Sequence, residues 1–146
     1  MAGELSGRRV AVLAADGVEQ VELVRPREAL TEAGARVDLV SLSTDPIQAM
    51  NGDIEPADRF AVDREVSKVS VDDYDALVVP GGTINPDHLR TNADAVGFVR
   101  DFVNRGGPVA AICHGLDRGL TAFLGEPVAD LVTGAGALDE VEPVAA

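Results

Sequence analysis

The hydrophobic positions along the chain fall into four short runs, rich in Val and separated by more polar stretches. The runs cover residues 9–15, 36–42, 75–80 and 108–113. Short apolar runs of this kind are typical of strands that are buried on both faces, as in a parallel sheet. The pattern therefore predicts four buried strands.

Two of the intervening stretches, residues 19–33 and 94–105, mix apolar and charged residues at roughly helical spacing. The apolar positions are Val21, Val24, Leu30 and Ala33 in the first stretch, and Val96, Val99, Phe102 and Val103 in the second. Pro26 predicts either a kink or a regular helix that begins there, because Pro suits a first turn. Gly34 is the predicted C-cap of the first helix.

Residues 43–70 differ, because scattered Val and Ile stand between polar residues and Asn51-Gly52 is a strong turn signal. One or two short exposed strands are predicted here. The order β-α-β, hairpin, β-α-β predicts a single α/β domain over residues 1–146. Its architecture is a doubly wound sandwich with a mostly parallel central sheet and a small β-hairpin insertion. Weaker patterns predict a short helix at 116–125 and a final strand at 127–133.

Composition and charge exclude several classes of function. The net charge of −13 repels phosphate backbones, so we expect no nucleic-acid partner. The single Cys cannot form an intramolecular disulfide, which suits a reducing compartment. The first residues show no signal-peptide pattern, and no apolar run approaches the ~20 residues of a membrane span. These features predict a cytoplasmic protein with no membrane partner.

Cys113 stands at the end of the fourth predicted strand and is followed by His114-Gly115. A nucleophile at a strand-to-helix turn is exposed near helix N-terminal amides, which stabilise a thiolate and lower the pKa of the thiol. Ligands of open α/β sheets also bind at the carboxyl ends of strands. Cys113 is thus a candidate nucleophile, and the alternative is an inert buried Cys.

Two further features follow predicted strands and so belong to the same edge of the sheet. Gly81-Gly82 could offer backbone N–H groups to an oxyanion, although an ordinary turn is the more common reason for a glycine pair. Glu19 could hydrogen-bond the thiolate if its carboxyl is protonated. The alternative for Glu19 is an acid that complements the dipole at a helix N-terminus.

The two histidines are less informative. His114 directly follows Cys113, and only a sharp turn would let the two side chains face each other. His88 follows Asp87 in a predicted loop and is interpreted as a solvated surface residue. Because one Cys and two His lack metal-ligand spacing, we expect no metal and no cofactor.

Together these pieces resemble the PfpI-type branch of the glutamine amidotransferase-like DJ-1 superfamily. The stretches AVLAADGVEQVEL, DYDALVVPGGTINPDHLR and PVAAICHG carry the resemblance over about residues 8–115, and GDIEP resembles bacterial stress-protein members. The resemblance implies a flavodoxin-like sandwich that forms dimers or higher oligomers. It also implies activity as a peptidase, chaperone, glyoxalase or deglycase, the last two acting on methylglyoxal or its adducts.

The resemblance also implies roles for individual residues. Cys113 matches the nucleophile, Glu19 the carboxyl that hydrogen-bonds the thiol, and His114 the histidine beside the nucleophile. Asp87 matches an acidic residue that reaches the histidine of a neighbouring subunit, given one extra residue in the loop before Pro86. The N–H groups of Gly82 and His114 would form the oxyanion hole.

After Gly115 the chain departs from the family pattern. Leu116-Asp117-Arg118-Gly119 replaces the usual Pro and amphipathic helix, and the chain ends without the family's last strand and C-terminal helix. A shorter helix would weaken the dipole that activates Cys113.

Three hypotheses follow from these residues. The first is a cysteine-dependent hydrolase acting on a peptide or a small carbonyl compound, as a homo-oligomer. The second is a non-catalytic stress or redox-sensing protein with an oxidisable Cys113. The third is an inactive, shortened family member.

Overall fold

The structure, a computed structural model, describes residues 3–112. The predicted Cys113-His114 turn and the elements predicted after residue 115 lie outside these residues. The strands are β1 Arg9–Leu13, β2 Val18–Glu19, β3 Arg36–Ser41, β4 Ile47–Asn51, β5 Glu55–Phe60, β6 Arg64–Glu65, β7 Ala76–Val79 and β8 Val109–Ala111. The α-helices are α1 Gln20–Glu32, α2 Ile84–Arg90 and α3 Ala93–Asn104.

Five strands form a central parallel sheet in the order β6-β3-β1-β7-β8. From β1 the chain first builds outward through β3, and it later returns to the other side of β1 as β7. This reversal is the signature of a doubly wound α/β sheet. The predicted fold class is therefore confirmed.

The two faces of the sheet bury different side chains, as strand alternation requires. Ala11 and Leu13 of β1 pack on the side of α3, in a cluster that contains the fully buried Phe102. Val10 and Val12 pack on the opposite side, in a cluster with Leu23 of α1. Helices thus cover both faces, which explains why the strands read as continuous apolar runs.

Helix α1 begins at Gln20 and runs through Pro26, so the alternative in which the regular helix begins at Pro26 is wrong. Its C-terminus follows the prediction, because Gly34 has φ +96° just beyond the cap residue. The N–H groups of Gly34 and Ala35 donate to the carbonyls of Thr31 and Leu30, both at 3.0 Å. This is the hydrogen-bond pattern of a Schellman motif.

The segment after β3 forms the predicted hairpin, with β4 and β5 antiparallel and β2 pairing beside β4. Gly52 and Asp53 both have positive φ, of 61° and 63°, at the turn. The prediction of exposed strands was wrong for β4, because Ile47 and Ala49 are buried. The prediction also missed β6, a two-residue strand that extends the central sheet beside β3.

Helix α2 replaces the loop that the sequence predicted around Asp87 and His88. Pro86 is its third residue, within the first turn, where a missing N–H costs no helical hydrogen bond. None of the helices within residues 3–112 is long and apolar enough to cross a bilayer.

Candidate functional site

The candidate site lies where the carboxyl ends of β1, β7 and β8 meet, at the point where the strand order reverses. In open α/β sheets this is the position of the ligand crevice. Ile112 follows β8, and its N–H donates to the carbonyl of Val79 at 2.9 Å. The described chain therefore ends at this edge, directly before Cys113.

Gly82 lies where the loop after β7 closely approaches the loop after β1. Its φ is +102°, and a Cβ atom there would stand 2.6 Å from the Gly17 carbonyl oxygen and 2.9 Å from the Glu19 nitrogen. The Glu19 N–H also donates to the Gly81 carbonyl at 3.2 Å. Gly82 is thus required by the contact between the two loops, which an ordinary turn would not need.

The two N–H groups of the glycine pair differ in their partners. The Gly81 N–H donates to Oε2 of Glu22 at 2.9 Å. The Gly82 N–H donates to no group within residues 3–112. This leaves Gly82 with an N–H that can serve the oxyanion role predicted for it.

Glu22 is a residue that the sequence analysis missed. It lies in the first turn of α1, one turn beyond Glu19, and its carboxylate reaches the loop after β7. The available signal was its helical position, since residues three apart share a face of a helix. Glu22 therefore competes with Glu19 for the role of the carboxyl beside the thiol.

Glu19 itself binds the tip of the hairpin. Its Oε1 accepts from the Gly52 N–H at 2.7 Å, and its Oε2 accepts from the Asp53 N–H at 3.1 Å. Both carboxylate oxygens are thus engaged with backbone amides of the turn between β4 and β5. Within the described residues, Glu19 connects the crevice to the hairpin insertion.

The hairpin tip is in turn bound to α2. Asp53 accepts from the N–H and from the hydroxyl of Thr83, both at 2.9 Å. Thr83 is the cap residue of α2, and its own side chain makes no capping bond. A carboxylate from the hairpin therefore binds the cap residue at the start of this helix, where negative charge is favoured.

Asp87 and His88 lie on α2 and are both exposed. Asp87 Oδ1 accepts from Arg90 Nε at 2.8 Å, an ion pair between residues three apart on the helix. The prediction that His88 is a surface residue is confirmed. The role of Asp87 toward another subunit stays a prediction, as does the meeting of Cys113 with His114.

Asn85 is a second residue that the sequence analysis missed. Its side chain is fully buried and bonds to the loops after β1 and β7. An Asn before Pro usually indicates a turn. In this structure Asn85 is instead buried at the edge of the crevice.

The sequence of this chain is similar to those of known proteins. A family model described as the DJ-1/PfpI family matches residues 8–122. An uncharacterized protein of Archaeoglobus fulgidus is 37% identical, and the match covers 93% of this chain and 82% of that protein. Protein/nucleic acid deglycase 2 of Escherichia coli (strain K12) is 36% identical over 74% of this chain and 60% of the relative.

The fold also has solved counterparts. Oxidized DJ-1 of Toxoplasma gondii matches with a TM-score of 0.69 and 24% identity, over 81% of this chain and 62% of that one. At this identity the likeness shows the fold alone, and it agrees with the flavodoxin-like sandwich. The chain spans about 60% of the length of the deglycase that it matches.

Proposed function

The chain belongs to the DJ-1/PfpI family, and on that premise we propose that it is a cysteine-dependent hydrolase of electrophilic carbonyl compounds. Cys113 is the proposed nucleophile. The E. coli relative named as a deglycase supports the deglycase type of activity, in which the substrate is a carbonyl adduct. A peptidase-like activity at the same thiol is the second type to be tested.

The observation that carries the proposal is the geometry of the Gly81–Gly82 loop. It lies at the topological switch point, beside the end of β8, and it presents the Gly82 N–H without an acceptor among the described residues. A nucleophile that directly follows Ile112 would enter the same edge. A fixed backbone donor beside a nucleophile is the arrangement that acyl and carbonyl chemistry needs.

In the proposed reaction, the Cys113 thiolate attacks the carbonyl carbon and the carbonyl oxygen takes up negative charge. The N–H groups of Gly82 and His114 donate to that oxygen. With an acyl substrate, the bond to the leaving group breaks, and His114 supplies the proton that the leaving group takes. With a methylglyoxal hemithioacetal, Cys113 displaces the outer thiol, and a proton shift from the aldehyde carbon to the neighbouring carbon turns the enzyme-bound hemithioacetal into a lactoyl thioester without any external oxidant. Water then cleaves the thioester, which releases a carboxylic acid and restores the thiol.

The carboxyl that tunes the thiol is assigned to Glu22 in this proposal, in place of Glu19. Glu22 already contacts the loop that carries the oxyanion donor, through its bond to the Gly81 N–H. Glu19 directs both oxygens to the hairpin tip. A protonated Glu22 would donate to the thiolate and favour its formation.

The proposed homo-oligomer would use Asp87. On the exposed surface of α2, its carboxylate is available to a second copy of the chain once the ion pair with Arg90 rearranges. In a homo-oligomer, Asp87 of one subunit would orient His114 of the next. The ion pair is exposed, and such pairs contribute little to stability, so its rearrangement costs little free energy.

The test is turnover by the full chain, measured against Cys113→Ser. Lactate release from the methylglyoxal hemithioacetal of N-acetylcysteine reports deglycase-type activity, and a fluorogenic peptide reports peptidase activity. We expect turnover of the hemithioacetal by the wild type and its loss in Cys113→Ser. Equal turnover by both proteins would refute the role of Cys113. Stoichiometric oxidation of Cys113 by peroxide, with no turnover of either substrate, would replace the hydrolase with a redox sensor.

A further inference from the structure

Asn85 has a position that is unusual for a polar side chain in this fold. It belongs to a short helix at the surface, yet its side chain is fully buried, with 0% of the residue exposed. Buried amides are costly unless their hydrogen-bonding groups find partners. The partners of Asn85 therefore indicate why the residue is buried.

The side-chain amide of Asn85 joins the loop after β1 to the loop after β7. Its Oδ1 accepts from the Ala15 N–H at 2.6 Å. Its Nδ2 donates to the carbonyl of Pro80 at 2.9 Å and lies 3.4 Å from the carbonyl of Gly81. The orientation of the amide follows from these partners, because an N–H needs an acceptor and carbonyls need a donor.

These bonds begin where the backbone pairing of β1 with β7 ends. The last paired residues are Val12 and Val78, and Pro80 has no N–H with which to continue the ladder. The Asn85 amide replaces the missing backbone bonds, while the two strands separate to form the mouth of the crevice. It therefore acts as a fixed spacer between the loops.

The spacer and Glu22 hold the same peptide unit from two sides. The Glu22 carboxylate accepts from the Gly81 N–H, and the Asn85 amide donates to the carbonyls of Pro80 and Gly81. The only remaining donor of the glycine pair is the Gly82 N–H. Its direction is thus set by Glu22, by Asn85 and by the Glu19 N–H, which donates to the Gly81 carbonyl at 3.2 Å.

We propose that Asn85 is a positioning residue that aims the Gly82 N–H at the oxyanion during catalysis, which rests on the proposed hydrolase function. Catalytic donors must be held within a fraction of an ångström, and a misplacement of about 1 Å costs about 100-fold in rate. The loss of the spacer should therefore reduce kcat by about 100-fold and leave KM little changed.

The experiment compares Asn85→Asp with Asn85→Ala and with a control, Leu89→Ala, in the full chain. Asn85→Asp keeps the volume and an acceptor for the Ala15 N–H, but it cannot donate to Pro80 while it is ionised. Leu89 is a buried core residue of the same helix, so Leu89→Ala weakens packing without removing a bond to either loop. Thermal unfolding of all three variants identifies folded proteins.

Steady-state turnover decides the proposal if the wild type is active. We expect kcat to fall in folded Asn85→Asp or Asn85→Ala, with KM nearly unchanged, and to stay near wild type in Leu89→Ala. A wild-type kcat in a folded Asn85 variant overturns the proposal. An equal fall of kcat in Leu89→Ala also overturns it, because general loosening of the helix would then explain the effect.

Amide hydrogen exchange decides the positioning role if the wild type lacks turnover, an outcome that removes the proposed function itself. The Gly81 N–H keeps its acceptor, Glu22, in every variant. We expect its exchange to accelerate in Asn85→Asp relative to Leu89→Ala, since the loop is no longer held. Unchanged exchange at Gly81 means that Asn85 does not fix the loop.

Discussion

Replacing Glu22 or Glu19 with Ala tests which of the two carboxyls lowers the pKa of the Cys113 thiol, a question that the sequence does not decide. Both lie at the start of α1, but Glu22 bonds to Gly81 in the crevice, whereas Glu19 bonds to the hairpin tip. We expect Glu22→Ala to raise the apparent pKa of Cys113, because the thiolate loses a hydrogen-bond donor. We expect Glu19→Ala to leave that pKa unchanged.

The magnitude follows from the value of one hydrogen bond to a charged group. Such a bond contributes roughly 1.5–3 kcal/mol, and one pKa unit corresponds to about 1.4 kcal/mol. Loss of the Glu22 carboxyl should therefore raise the apparent pKa of the thiol by about one to two units. The unperturbed thiol, with a pKa of about 8.5, sets the upper limit of this change.

The assay is the rate of alkylation by iodoacetamide as a function of pH, followed by intact-mass spectrometry. The single Cys makes the modification unambiguous. Urea-denatured protein gives the reference curve, and Glu22→Gln tests whether an amide donor can replace the carboxyl as the partner of the thiolate. If Glu19→Ala moves the curve and Glu22→Ala does not, Glu19 is the partner of the thiol. If the native and denatured wild-type curves coincide, neither carboxyl acts on an activated thiol.

Two further substitutions test the described core of the fold. Gly82→Ala should lower the melting temperature more than Gly52→Ala does. Both positions have positive φ, but of the two only Gly82 lies against an obstructing atom, the carbonyl oxygen of Gly17. Equal shifts of the melting temperature would refute the contact. Burial, and then the bond to Asp38, raises the pKa of Tyr74 above its usual range. The unfolded tyrosine therefore ionises first, and wild-type stability should fall as pH rises above about 10. Tyr74→Phe should lack that alkaline fall, and it should cost about 1–3 kcal/mol at neutral pH because Asp38 loses a buried donor; urea titrations at several pH values measure both effects.

The central sheet could be predicted from the sequence because its signal is local. Each strand buried on both faces is a short apolar run, and each of the two longer helices shows its own period. The C-terminal motif of α1 was equally readable, since Gly34 supplies the positive φ that the motif needs. In these places, one stretch of chain contains the whole physical cause.

The missed elements depend on distant residues. Helix α2 has only seven residues, and its N-terminus is satisfied by Asp53, which lies 30 positions before Thr83. A helix this short is unstable by itself, so its own sequence indicates a loop. Strand β6 has only two residues, Arg64 and Glu65, and it exists through its pairing with β3.

The role proposed for Glu22 could not be predicted from the sequence for a related reason. Glu19 closely follows β1 and marks the predicted edge, whereas Glu22 resembles an ordinary acidic residue in a first helical turn. Only the turn of α1 and the approach of the loop after β7, 59 positions later, show that its carboxylate reaches Gly81. Sequence spacing predicted the correct edge of the sheet, but it could not decide between carboxyls on one helix.

The charges around the crevice make this distinction chemically important. Asp53 and Glu19 each accept hydrogen bonds through both carboxylate oxygens. Nearby negative charge disfavours a thiolate and raises the pKa of a thiol. In the proposed mechanism, backbone amides and a hydrogen bond from the Glu22 carboxyl therefore favour the Cys113 thiolate against the acidic side chains of this edge. The Gly81 N–H donates to Oε2 of Glu22, which places that carboxyl at the crevice. The acidic side chains of this edge would favour neutral or cationic substrates over anionic ones.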